Sequence, residues 1–342
     1  MPADRYVRQS RFTPLGEEGQ QRLGASTALV VGCGALGSVI ASTLVRAGVG
    51  RVRIVDRDFV DLSNLQRQIL FDEQDVAQRL PKAIAAAHKL RRINSEVTIE
   101  PHVADLTHEN ITKLTDGVDV IVDGADNFEV RLLVNDYAIS TRTPWVYGGA
   151  VGGEGRVMPI LPGETACLTC LMPEPPAPGT TETCDTAGVL GPTVSVVASL
   201  QSLEAMKILA GKRDAVIRDL MVVDLWTGRW RRLSVETLYA LGTCPTCGDG
   251  EFPWLEGKRG GDADILCGRN AVQLRPPTPT TIDLPATAKR LAPAGEVTVN
   301  PFLLRLAADD LEITLFADGR AIVSGTDDPA VARSAYAKFV GG

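Results

Sequence analysis

Apolar and polar residues are arranged along this chain in blocks whose period changes. Residues 27 to 56 open with the apolar run Thr27-Ala-Leu-Val-Val31, pass through the glycines of 32 to 37, take helical spacing from Ser38 to Ala47 and close on the alternating Arg51-Val-Arg-Ile-Val-Asp56. That pattern predicts strand, glycine turn, helix and strand, one βαβ unit. Pro81 stands where a first helical turn tolerates proline, and Lys82 to Ile93 is Ala-rich and helical. Next come a strand at Val97 to Glu100, a short helix at Glu109 to Leu114, a strand at Val118 to Val122 and a helix at Asn127 to Thr141. Such alternation implies a mostly parallel sheet covered on both faces.

From Trp145 to Ile160 glycines interrupt an extended segment expected to be antiparallel, and the regular alternation ends. Met172 to Cys184 contains four prolines and Gly179, so it reads as a long mobile surface loop. Val194 to Leu209 is a long helix, and Leu220 to Val223 with Trp230 to Val235 makes a hairpin around Thr227-Gly228. The expected organisation is a Rossmann-like α/β domain over 1–250, with an antiparallel extension, then a Gly- and charge-rich linker over 251–264. A small α+β module over 265–342 follows. It has an extended Ala271 to Leu274, a helix at Ala286 to Leu291, strands within 296–316, a turn at Asp318-Gly319, a strand at Arg320 to Ser324 and a helix from Pro329 to Phe339.

Composition narrows the class. With 44% hydrophobic and 23% charged residues in 342, the chain can bury a core and is not of disordered type. A net charge of -7 argues against nucleic acid or an anionic membrane surface as partner. Two uncharged stretches, Leu23 to Val45 and Thr186 to Leu203, are too rich in glycine and polar residues to span a membrane. Met1 to Ser10 lacks the apolar core of a secretory signal, and a cytoplasmic location is expected. The seven cysteines are too few for a disulfide scaffold, and four form two Cys-x-x-Cys pairs, which suits a reducing compartment and a metal.

Gly32-Cys-Gly34-Ala35-Leu-Gly37 matches Gly-x-Gly-x-x-Gly between strand and helix, where absent side chains let a phosphate approach backbone amides. Asp56 lies 19 residues beyond Gly37, placed to hold ribose hydroxyls. This much fits NAD, FAD or ATP. The polar run Asp56-Arg-Asp58-Phe-Val-Asp-Leu-Ser63-Asn64-Leu-Gln66-Arg67-Gln68, with Lys82 at a helix start, adds two cations near the glycines and favours a triphosphate. Taken singly, each cation reads as a solvated surface charge.

Cys167-x-x-Cys170 with Cys244-x-x-Cys247 is a zinc signature, four soft thiolates for a closed structural Zn²⁺ site. A redox role is less attractive because neither pair is expected to open a helix. Cys184 stands alone in the Pro-rich loop before a helix expected to begin near Ala187, a setting that lowers a thiol pKa. Cys33 and Cys267 are expected to pack as small apolar groups. His88, His102 and His108 lie in no motif.

From Arg5 to about Cys247 the chain resembles the ThiF/MoeB family of ubiquitin-activating-enzyme-like adenylyltransferases. The likeness rests on Arg5-Tyr-x-Arg8-Gln9, the glycine loop, Ser63 to Gln68, Pro81-Lys82, Asp126-Asn127 and both cysteine pairs. It implies use of ATP to activate the C-terminal glycine of a small ubiquitin-like sulfur carrier of the ThiS or MoaD type ending in Gly-Gly. By this resemblance Asn64, Arg67 and Lys82 hold the phosphates, and Ala35, Asp58, Ser63, Gln66 and Asn127 line the nucleotide site. Asp126 binds Mg²⁺, Asp123 is structural, and Arg8 reaches the ATP of the other subunit of a homodimer. The matching cysteine of some members, here Cys184, bonds covalently to the carrier. A cysteine desulfurase or rhodanese is the implied sulfur donor. The pathway, thiamine, molybdopterin or tRNA thiolation, is left open. The carrier carboxylate is ionised at neutral pH, so no general base is needed.

Two other readings stand beside this one. A NAD- or FAD-dependent oxidoreductase explains the glycines and Asp56 but leaves Arg67, Lys82 and Asp126 idle, and a non-catalytic scaffold would be expected to have lost a motif position. The 265–342 module is too short for a rhodanese domain and reads as a partner-docking or dimer-stabilising addition. Gly341-Gly342 ends the chain as carriers end, but after a predicted helix, so self-activation is not expected.

Overall fold

The structure, a computed structural model, describes residues 5–175, 187–259, 263–266, 270–274, 280–308 and 310–340. The chain divides into two compact units, Met1–Arg259 and Gly260–Gly342. In the first, α1 (Val7–Ser10) and α2 (Gly16–Ala25) precede β1 (Thr27–Val31), α3 (Ala35–Ala47) and β2 (Arg51–Val55). Then follow α4 (Glu73–Ala77), α5 (Lys82–Ile93), β3 (Thr98–His102), α6 (Ile111–Leu114), β4 (Val120–Asp123) and α7 (Phe128–Thr141). The hairpin β5 (Trp145–Val151) and β6 (Glu154–Ile160), the short α8 (Leu168–Leu171), α9 (Gly191–Leu209), β7 (Leu220–Asp224), β8 (Arg229–Leu233) and α10 (Glu236–Ala240) complete it.

These strands form one sheet in the order β3-β2-β1-β4-β5-β6-β7-β8. Pairing is parallel from β3 to β5 and antiparallel from β5 to β8, the mixed sheet expected. The apolar run of β1 is explained by burial on both sides. Ala28 and Val30 join Ile40, Leu44 and Val197 on one face, while Leu29 and Val31 join Leu133, Tyr137 and Trp145 on the other. Because β1 lies between β2 and β4, the chain crosses over in opposite directions on its two sides. That opens a crevice at the carboxyl ends of these strands.

The second unit holds β9 (Ala263–Leu266), β10 (Ala271–Leu274), α11 (Leu284–Leu291), β11 (Glu296–Val299), β12 (Leu303–Ala308), β13 (Leu311–Phe316), β14 (Ala321–Ser324) and α12 (Pro329–Phe339). Its antiparallel sheet runs β11-β12-β13-β14-β10-β9. Both helices start on aspartates, with Asp283 accepting from Ala286 N–H at 3.0 Å and Asp328 from Ala330 N–H at 2.7 Å.

Several boundaries differ from the sequence expectation. Helix α3 begins at Ala35 rather than Ser38 because Gly34 serves as its cap, so half of the glycine loop is the first helical turn. Helix α9 begins at Gly191 with Pro192 in its first turn, and Gly188 to Leu190 before it are not helical, so no helix runs on from Ala187. The segment read as a linker is divided: 251–259 belongs to the first unit, where Trp254 and Leu255 pack on the core, and Ala263–Leu266 is a strand of the second. Among the described residues no helix is long and apolar enough to cross a membrane.

Candidate active site

Strand β1 runs into a close backbone junction. Gly32 has φ +83° and donates its N–H to Val55 O at 2.7 Å, while Gly124, just past β4, donates to Val31 O at 2.7 Å. A Cβ on Gly37 would lie 1.8 Å from Gly32 O, and one on Gly124 would lie 2.6 Å from the same oxygen. Only glycine lets the first turn of α3 press against both strand ends, and this holds the positive end of the helix open to the crevice.

Asp56 sits beside that turn with one carboxylate oxygen accepting from Cys33 N–H at 2.6 Å and the other from Asp58 N–H at 2.7 Å. Burial raises its pKa from 3.8 to about 6; Lys82 pulls it down and Asp58 pushes it up. Lys82, 3% exposed, opens α5 and donates from Nζ to Asp58 at 3.0 Å, while its N–H reaches Asp58 O at 2.8 Å. Loop, Asp56, Asp58 and Lys82 thus form one contiguous buried chain of contacts.

The polar run is held near by its own turns. Asp61 accepts from the N–H and hydroxyl of Ser63, the buried Asn64 lies next to it, and Arg67 donates to Ser63 O at 3.0 Å. Gln66 is exposed, and the start of α9 abuts it, a Cβ on Gly191 falling 3.1 Å from Gln66 O. Asp126 is exposed just beyond Gly124. Asn127, expected at the nucleotide, is committed as the cap of α7, accepting from Val130 N–H at 2.9 Å and donating to Asp126 at 3.2 Å. Asp123 is buried and structural in its contacts, bound by Arg131 Nε at 2.9 Å; Arg131 also donates to Ala125 O and Gly148 O. Sequence reasoning missed Gly124, for which the placement directly after β4 was the available signal, and Arg131, which lies inside α7 and carries no local signal.

Arg8 is not brought to this chain's glycine loop. Its neighbour Gln9 donates to Ala47 O at 2.9 Å and Tyr6 accepts from Asn94 at 2.8 Å, which pins α1 at the far end of α3. At 1.5 Å per residue that is about 20 Å from the loop. Cys33 is fully buried and burial pushes its thiol well up, so it packs as an apolar group. Cys184 and Cys267 lie outside the described residues.

The four remaining cysteines converge. Their sulfurs lie within 4.8 Å of one another, with Cys167 at 3.8 Å from Cys170 and 3.6 Å from Cys244, and Cys170 at 3.3 Å from Cys247. Tetrahedral zinc with Zn–S of ~2.3 Å needs sulfurs about 3.8 Å apart, so the donor set fits a structural Zn²⁺ and excludes disulfides. Contrary to expectation, Cys167 does open a helix, as the cap of α8, but the gathering of all four thiols decides the matter. Hydrogen bonding, from Cys167 first, lowers the Cys170 thiol to about 4, and contact with Cys167 pushes Cys244 and Cys247 up. A cation is what lets all four ionise together.

Each pair carries a threonine before its second cysteine, and these are joined: Thr246 Oγ1 donates to Thr169 Oγ1 at 3.1 Å. Asn135 on α7 donates to Thr169 at 3.0 Å and accepts from Leu168 N–H at 2.8 Å. Asp136 accepts from Thr246 Oγ1 at 3.5 Å and from Trp254 N–H at 2.9 Å; burial raises its pKa to about 6. One helix therefore starts beside Asp126 and anchors the cysteine cluster two turns later.

Comparison with known proteins agrees with this geometry. The model of the ThiF family matches residues 6–244. The chain is 45% identical over 339 residues to the sulfur carrier protein ThiS adenylyltransferase of Bacillus subtilis, covering 98% of this chain and 99% of that one. It is 40% identical over 251 residues to a sulfur carrier protein adenylyltransferase of Thermus thermophilus, 72% of this chain and 91% of that one. Among solved structures, E. coli MccB with ATP shares the fold, with a TM-score of 0.59 at 21% identity over 68% of this chain and 72% of that one.

Proposed function

The chain belongs to the ThiF family, and from that membership we propose that it is an ATP-dependent adenylyltransferase for the C-terminal glycine of a small ubiquitin-like sulfur carrier protein. The observation that carries the reading is the buried chain from Cys33 N–H through Asp56 and Asp58 to Lys82, set against the open end of α3. ATP places its phosphates at that helix end, its ribose on Asp56, and its charge against Lys82 and Arg67, with Ser63, Asn64 and Gln66 lining the entrance. Asp126 is exposed beside the glycine turn, which suits a ligand of Mg²⁺. When bound, Mg²⁺ supplies charge neutralisation on the phosphates.

The carrier's terminal carboxylate, already ionised, attacks the α-phosphorus. A new P–O bond forms, the bond to the bridging oxygen breaks, and its electron pair leaves with pyrophosphate; the product is the acyl-adenylate. No proton moves, so binding, orientation and charge carry the catalysis. Arg8, about 20 Å from its own loop, acts on the nucleotide of the other subunit of a homodimer. The carrier docks along β8, the outer strand, where Trp230 is 56% exposed among Arg229, Arg231 and Arg232, and against Trp226, 81% exposed in the turn that leads into it. A cationic, aromatic strand on a chain of net charge -7 suits an acidic partner adding to a sheet edge. Thiolate cysteines fit a reducing cytoplasm. The test is exchange of labelled pyrophosphate into ATP in the presence of a carrier ending in Gly-Gly. Exchange that requires the carrier supports the reading; binding of ATP without exchange, for every such carrier of the host, removes it.

A further inference from the structure

Strands β4 and β5 part early. Their parallel ladder joins Ile121 to Trp145 and Val122 to Val146 and then stops, although β4 continues to Asp123 and β5 to Val151. Three buried side chains span the fork: Asp123, 2% exposed, Arg131, 8%, and Gln201, fully enclosed. From α9, Gln201 Nε2 donates to Asp123 O at 2.7 Å and to Val146 O at 3.2 Å. A Cβ on Gly148 would fall 2.2 Å from Gln201 Cδ, so glycine is what admits that amide. From α7, Arg131 donates to the Asp123 carboxylate at 2.9 Å, to Ala125 O at 2.8 Å and to Gly148 O at 3.0 Å. The ring centres of Phe128 and Tyr147 lie 5.5 and 5.4 Å from its guanidinium carbon. The other Asp123 oxygen accepts from Ala125 N–H at 2.8 Å. Both peptide groups of Ala125 are therefore tied, and the second of them carries Asp126.

An ion pair withdrawn from water adds little net stability, and apolar groups of equal volume would fill the same space. Apolar groups cannot fix the direction of a peptide unit, whereas a planar fork of donors can. We infer that Arg131 is a positioning residue: it holds the oxygen of the peptide between Ala125 and Asp126 and so aims the exposed Asp126 carboxylate at the metal on the phosphates. The inference rests on the ATP reading above and gives Arg131 no contact with nucleotide or metal.

The test is the affinity for α,β-methylene ATP, by calorimetry, with Mn²⁺ and with EDTA; the ratio of the two reports what the protein gives the metal. Asp126→Ala lowers the ratio and sets its floor. Arg131→Lys keeps a charge beside Asp123 but cannot grip three acceptors at once. Its expected result is a ratio down about tenfold, the lower end for outer-shell partners, with unchanged affinity in EDTA. Added to Asp126→Ala it lowers the ratio no further, since it acts through that carboxylate. A wild-type ratio in Arg131→Lys, equal losses with Mn²⁺ and with EDTA, or a further loss on top of Asp126→Ala overturns the inference and leaves the ATP reading intact. So does Asp126→Ala with a wild-type ratio. Wild-type protein that binds the analogue in neither condition overturns both. If Arg131→Lys does not fold, the uncharged pair Asp123→Asn with Arg131→Gln decides by the same ratio.

Discussion

Lys82 opens a helix, where the backbone dipole repels a cation, and it is buried as well; Asp58 offsets both costs, and Asp56 stands behind Asp58. The carboxyl that bears the consequence is Asp56. Folding raises it from 3.8 to about 6, so between those values the folded chain keeps a proton that the unfolded chain has released. Stability from this group therefore falls as pH climbs from about 4 to about 6 and is level above. Asp56→Asn should flatten that part of the curve, read as urea midpoints from pH 4 to 7; an unchanged slope would assign the titration to another group. Asp56 and Lys82 were legible because short local spacings mark them. The Asp58 to Lys82 pair spans 24 positions, and nothing local announces it. The grip of Arg131 on Asp123, Ala125 and Gly148 exists only once distant segments meet.

At the scale of elements, α7 is the member that touches both sites. Its cap binds Asp126, Arg131 fixes the turn at Ala125, and Asn135 with Asp136 secures the two cysteine knuckles through Thr169 and Thr246. Asn135→Ala leaves Leu168 N–H without its acceptor and takes from Thr169 one of its two donors, the other being Thr246. Release of zinc to a chromogenic chelator should become 10- to 100-fold easier by the rule for outer-shell partners, about the same loss that a direct defect in one ligand's orientation gives. Retention equal to wild type would show that the thiolates need no support from this helix. Helices α5 and α7 were readable since Ala-rich or regularly apolar stretches of a dozen residues carry their own signal. The early start of α3 was not, because glycine suggests a loop and only the packing of Gly37 on Gly32 makes it helical. The four-residue α1 and α8 and strand β9 are likewise too short to show a period.

For the whole molecule the separation of Arg8 from its own glycine loop matters most. If sites are shared across a two-fold axis, Arg8→Ala and Lys82→Ala proteins are each inactive, and mixed dimers hold one intact site of two. Random pairing then restores roughly a quarter of wild-type exchange activity after co-expression; no recovery from two folded variants would place Arg8 outside the reaction. The family match ends at residue 244, before the second unit begins, and the overall two-part composition of the chain was visible in the change from α/β alternation to short strands. Its exact division was hidden because Trp254 and Leu255 pack on the first unit despite a Gly-rich, charged setting.

The outer strand has a practical side. Of four tryptophans, Trp145 is fully enclosed and Trp254 partly so, whereas Trp226 and Trp230 face solvent. Their emission starts at the red, water-relaxed end of the indole range and is open to acrylamide. Any protein that settles on this strand will announce itself by a blue shift and by shielding from the quencher, with no dye attached.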